Sequence, residues 1–92
     1  MSLSPQRTVV ICNKRGLHAR AAARFVKLAE AFSAEVTVTR RDQSVSGRSI
    51  MGLMMLAAVP GAAIDILAKG EDAEAAVAAL VALVERRFDE DA

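Results

Sequence analysis

Apolar and polar positions follow two different periods along this chain, and the switches between them mark its elements. Arg7-Thr8-Val9-Val10-Ile11-Cys12 is rich in β-formers and closes on Asn13-Lys14-Arg15-Gly16, a run with turn chemistry. From Ala19 to Phe32 the spacing lengthens to three and four residues. Ala22, Phe25 or Val26, Ala29 and Phe32 share one face there, while Arg20, Arg24, Lys27 and Glu30 lie elsewhere, which predicts an amphipathic helix. Glu35-Val36-Thr37-Val38-Thr39-Arg40 alternates strictly, as a strand with one wet face does. Arg41-Asp42-Gln43 reads as a turn, Ser44-Val45-Ser46 as a short returning strand, and Gly47 as its end.

The second half repeats the alternation of periods. Ser49 is placed to cap a helix of about two turns that runs to Leu56, with Leu53 and Leu56 as its core pair. Pro60-Gly61 is a turn. Ala62 to Lys69 reads as a strand with Ile64, Ile66 and Ala68 on one side. Gly70 ends it, and Glu71-Asp72-Ala73-Glu74 places negative charge at a helix start, where the backbone dipole favours it. Val77, Leu80, Val81, Val84 and Phe88 then form a helical stripe that stops near Arg86-Arg87.

The order is therefore β-α-β-β-α-β-α, an α+β pattern. It predicts a mostly antiparallel sheet with three helices on one face and water on the other. No linker separates two units, so residues 1–92 read as a single domain, with 1–6 and 89–92 expected to be flexible ends.

Composition narrows the chemistry. The chain has 92 residues and is 53% apolar, which excludes a disordered segment. Nineteen alanines and only three phenylalanines imply a core of small, close-packed side chains, without the aromatic faces of a single-strand nucleic-acid platform. One cysteine, Cys12, and one histidine, His18, make a zinc site implausible, and no cofactor is expected. Cys12 reads as an inert small core residue. With no apolar run near the ~18–20 residues of a bilayer span and no signal-peptide stretch, the expected location is cytoplasmic. Net charge is only +1, but residues 1–48 carry nine Lys/Arg against three acids and residues 49–92 three against eight. That split suggests a basic face for an anionic group, while the acidic half argues against nucleic acid.

The most informative stretch is Gly16-Leu17-His18-Ala19-Arg20. It sets the only imidazole where a loop becomes the first turn of a helix. The first N–H groups of a helix have no internal acceptor and favour an anion. Arg20 adds a guanidinium fork suited to phosphate oxygens. Imidazole is a competent nucleophile near neutral pH. On the residues alone, His18 reads about equally as a structural ring and as a phosphoryl acceptor.

Gly16-Leu17-His18-Ala19-Arg20 resembles the active-site signature of HPr, the histidine phosphocarrier family of the phosphoenolpyruvate-dependent sugar phosphotransferase system. Arg48-Ser49-Ile50-Met51-Gly52-Leu53-Met54 resembles that family's regulatory-serine segment at a compatible separation, and the order of elements and Gly70-Glu71-Asp72 also match. The resemblance implies an open-faced β-sandwich of four antiparallel strands and three helices. It also implies a carrier that is not itself an enzyme: His18 accepts phosphate on Nδ1 from phosphorylated enzyme I and passes it to a histidine of an enzyme IIA, with Arg20 stabilising the group. Ser49 would be a target of HPr kinase/phosphorylase. A departure is Ala21, where the family usually has Pro, and it opens an alternative: a regulatory interaction domain of a nitrogen-type or purely regulatory branch. Ser49 reads as a helix cap in any case. Ile50, Met51 and Met54 exceed what a two-turn helix can bury on one face. With Arg24 and Lys27 they form a candidate docking face, apolar at its centre and basic at its rim. A monomer with no membrane insertion is expected.

Overall fold

The computed structural model describes residues 4–90. Four strands, β1 (Gln6–Val10), β2 (Glu35–Arg40), β3 (Gln43–Ser46) and β4 (Ala63–Lys69), alternate with three helices, α1 (Ala19–Ala29), α2 (Ile50–Met55) and α3 (Ala73–Glu85). The sheet order is β1-β4-β2-β3, and every neighbouring pair is antiparallel. Val9 opposes Ile64, Val38 opposes Ile66 and Val36 opposes Ala68, so the middle of one sheet face carries an apolar layer. These residues join Phe25, Leu53, Leu56, Leu80 and Val84 in one core cluster, which places the helices on that face. The other face presents Thr8, Thr37, Thr39 and Asp65, with the Thr8 hydroxyl donating to the Asp65 carboxylate.

The element order and the buried faces agree with the sequence pattern, including Leu53 and Leu56, both about fully buried. Among the described residues no helix is long and apolar enough to cross a membrane. Two differences lie at the edges of elements. Cys12 is exposed and lies beyond the end of β1, because Val9 and Ile11 take the inward positions and the alternation turns Cys12 outward. Its thiol lies against the Val84 and Glu85 carbonyls at the end of α3.

Bonds tie the described parts of both chain ends to the fold. The Pro5 carbonyl accepts the Ala68 N–H at 3.1 Å and Gln6 opens β1. At the other end α3 stops at Glu85, and Phe88 reaches the core by another route. Arg87, Phe88 and Asp89 all adopt left-handed backbone, with φ of 60°, 55° and 61°, and the turn drives the Phe88 ring into the core. Residues 1–3 and 91–92 lie outside the described part.

Candidate functional site

The loop between β1 and α1 is pinned from three sides. Gly16 sits at φ +66°, and a Cβ there would lie 2.5 Å from the Ala58 carbonyl oxygen, so the position requires glycine. That same carbonyl accepts the Leu17 N–H at 2.9 Å. Leu17 is buried, which anchors the residue immediately before His18. Asn13, fully buried, donates from Nδ2 to the Gly16 carbonyl at 2.7 Å.

His18 is the N-cap residue of α1. Its backbone is extended (φ −79°, ψ 179°), and its carbonyl accepts the Ala22 N–H at 2.8 Å. The first N–H groups of α1 have no acceptor within the helix. The imidazole makes no capping bond to the helix. Its Nε2 lies instead 2.5 Å from Glu90 Oε2, with both side chains mostly covered. The other carboxylate oxygen of Glu90 accepts from Asn13 Nδ2 at 2.9 Å. Arg20 is exposed in the first turn of α1 and takes no part in the ion pairs among the described residues.

The Glu90 carboxyl is held below the usual glutamate range. Burial pushes it up, but the hydrogen bonds from Asn13 and His18, together with the charges of His18 and Arg24, outweigh that push. Asn13 Oδ1 is buried and unpartnered among the described residues. Flipping the amide would set that oxygen against the Gly16 carbonyl and the Glu90 carboxylate, so the observed orientation is the better one.

A family model described as PTS HPr component phosphorylation site matches residues 5–86. The chain belongs to the HPr family. It is 48% identical over 85 residues to the phosphocarrier protein NPr of Shewanella violacea, covering 92% of this chain and 93% of that protein. It is 46% identical over 85 residues to the phosphocarrier protein HPr of Neisseria meningitidis, covering 92% of this chain and 96% of that one. The crystal structure of HPr-C-His from Thermoanaerobacter tengcongensis superposes with a TM-score of 0.91 at 42% identity, over 96% of this chain and 99% of that one. The open sheet with three helices is the HPr fold, and the chain is an HPr-family phosphocarrier of the phosphotransferase system.

Within this HPr-family frame, Ser49 caps α2, its Oγ accepting the Gly52 N–H at 2.9 Å. Ile50, Met51 and Met54 are exposed on α2, as is Met55. Lys27 is exposed, but Arg24 is committed elsewhere: its Nη1 donates to the Phe88 carbonyl at 2.5 Å. Both line a groove beside Leu28, Leu83 and Arg86, so they border α3. Asn13 and Glu90, which complete the site, are not marked as site residues by the sequence pattern. The signal for Glu90 was Phe88, an apolar residue set in an otherwise charged tail, which needed a buried seat and would carry its neighbours inward.

Proposed function

We propose that His18 accepts a phosphoryl group on Nδ1 from phosphorylated enzyme I and hands it to a histidine of an enzyme IIA. The protein works as a cytoplasmic monomer without cofactor and turns over nothing of its own. The observation that carries this reading is the half-occupied ring: Nε2 is engaged by Glu90, at the N-terminus of α1, and Nδ1 is the nitrogen left to react. A metaphosphate-like group passing between two imidazoles needs positioning and charge stabilisation above all. The open amides of the first turn and the Arg20 guanidinium supply both. Ala21 is buried against the core and still continues the helix, so the absence of Pro leaves the start of α1 in place.

Docking uses the exposed apolar residues Ile50, Met51 and Met54 on α2 together with the exposed Arg20 of α1, while Lys27 lies on the side of α1 that borders α3. Arg24, tied to Phe88, contributes less than its place in the sequence suggested. Such a face fits partners with acidic surfaces. Phosphorylation of Ser49 by HPr kinase/phosphorylase would add about −1.5 to −2 charge beside it and weaken docking.

The test is incubation with enzyme I and labelled phosphoenolpyruvate. Wild type should gain an acid-labile, base-stable adduct that His18→Ala lacks; an adduct retained in H18A removes the reading. The likeness to an NPr favours a second reading, a regulatory interaction domain of the nitrogen branch, in which phosphorylation only switches binding. Under that reading, H18A still binds the partner of the unphosphorylated form.

A further inference from the structure

We propose that Glu90 is a positioning residue for phosphoryl transfer, fixing which nitrogen of His18 carries the proton; this rests on the phosphocarrier reading above. Three bonds in series connect Gly16 to the ring. The Gly16 carbonyl can only accept, so it fixes the NH₂ end of the Asn13 amide toward itself. The same NH₂ group donates to Glu90 Oε1. An ionised carboxylate only accepts, and Glu90 Oε2 faces His18 Nε2, so the ring proton sits on Nε2 and the lone pair on Nδ1. The loop that carries His18 thus sets its own tautomer by way of a residue 72 positions away.

The transfer step then balances without moving a proton. The Nδ1 lone pair forms an N–P bond to the phosphorus on the donor histidine. The donor's N–P bond breaks, and its electron pair returns to the donor ring nitrogen. The carrier ring becomes a phosphorylated imidazolium that keeps its Nε2–H on Glu90. The positive charge it gains lies against a carboxylate already held in its ionised form by Asn13. Donation to the next histidine reverses each movement.

Glu90→Gln separates this role from simple packing of the tail. The Asn13 NH₂ holds the new amide oxygen, so the new amide NH₂ must face Nε2, and two donors cannot share that contact. The ring proton is driven to Nδ1 and the nucleophilic lone pair is lost. Nitrogen NMR of the unphosphorylated ring, at a pH where it is neutral, should show the Nε2–H form in wild type and the Nδ1–H form in E90Q. Phosphorylation by phosphorylated enzyme I should slow at least about tenfold in E90Q, as expected for a wrong tautomer. Glu90→Ala, where water replaces the side chain, should show mixed tautomers and a smaller loss. The proposal is overturned if E90Q keeps the Nε2–H form at wild-type rate. It is equally overturned if E90Q and E90A lose the same activity with the tautomer unchanged. A wild-type chain that takes no phosphate from enzyme I would remove the carrier reading instead, and the ring spectrum, recorded without a donor, judges Glu90 in either case.

Discussion

Arg24 Nη1 donates to the Phe88 carbonyl at 2.5 Å, tying the middle of α1 to the left-handed turn that brings Glu90 to His18. Left-handed backbone costs about 1–2 kcal/mol per residue outside glycine, so Arg87, Phe88 and Asp89 together oppose their own geometry by about 3–6 kcal/mol. Burial of the Phe88 ring contributes about 3 kcal/mol and a charged hydrogen bond about 1.5–3 kcal/mol, which is the same range. The turn is therefore in near balance. Arg24→Met, which keeps the aliphatic stem, should loosen residues 87–90 before it affects the sheet. Hydrogen exchange should show faster amides at Asp89 and Glu90, whose N–H groups bond Arg86 and Arg87, with β4 unchanged.

Arg87→Gly probes the same balance from the other side. The side chain is exposed, and glycine accepts φ of 60° without the Cβ penalty. Thermal unfolding should show a protein as stable as wild type or up to about 1 kcal/mol more stable, against the usual loss on introducing glycine. A loss of 1 kcal/mol or more would mean that the turn is not left-handed.

Gly16→Ala should be costly and local. The new Cβ would meet the Ala58 carbonyl at 2.5 Å in a backbone region that alanine avoids. We expect a loss of about 2–4 kcal/mol in denaturant unfolding, with the slope unchanged. The Leu17–Ala58 bond is the first to stretch, and His18 moves with it.

At Ser49, stability and docking should separate. Ser49→Ala removes the acceptor for the Gly52 N–H and should cost about 1 kcal/mol. Ser49→Asp keeps an acceptor there, so its unfolding should lie within about 0.5 kcal/mol of wild type. Its phosphorylation by enzyme I should nevertheless slow, because charge is added beside Ile50 and Met51. An unchanged rate would show that docking lies elsewhere.

Asp72 governs part of the acid limb of stability. It is the N-cap residue of α3, yet its carboxylate leaves that helix uncapped and accepts the N–H groups of Ser33 and Ala34 in the loop before β2. The Ser33 bond above all, opposed by desolvation and aided by Ala34, holds the carboxyl below the usual aspartate range. The folded state thus binds this proton less tightly than the unfolded chain does. Its contribution is complete above the ordinary aspartate range and is lost as pH falls through that range toward the folded value. Asp72→Asn should melt below wild type at neutral pH, and the two melting curves should converge as acid is added through that window.

The strands, helices and capping serine were legible because each obeys a local rule. Val36 and Val38 alternate, Phe25 and Ala29 recur at helical spacing, and Ser49 stands one residue before an apolar run. His18 was legible for the same reason, since a helix start can be read from neighbours. The clamp on its ring was not, because Asn13 and Glu90 meet only after the sheet has closed and α3 has ended. Asn13 lies in a stretch that reads as an exposed turn, and Glu90 in one that reads as solvated charge. Nothing local distinguishes a buried asparagine from a surface one. Cys12 failed as a core residue over a single step of the pleat, which Ile11 decided.

The distance along the chain between His18 and Glu90 has a consequence for synthesis. A ribosome releases the imidazole into solution well before it has made the carboxylate that orders it, so a nascent chain shows the ring while its reactive nitrogen is still unassigned. Fusions that pull the tail outward should therefore occupy docking partners while relaying phosphate poorly, and a tag for such work belongs ahead of β1.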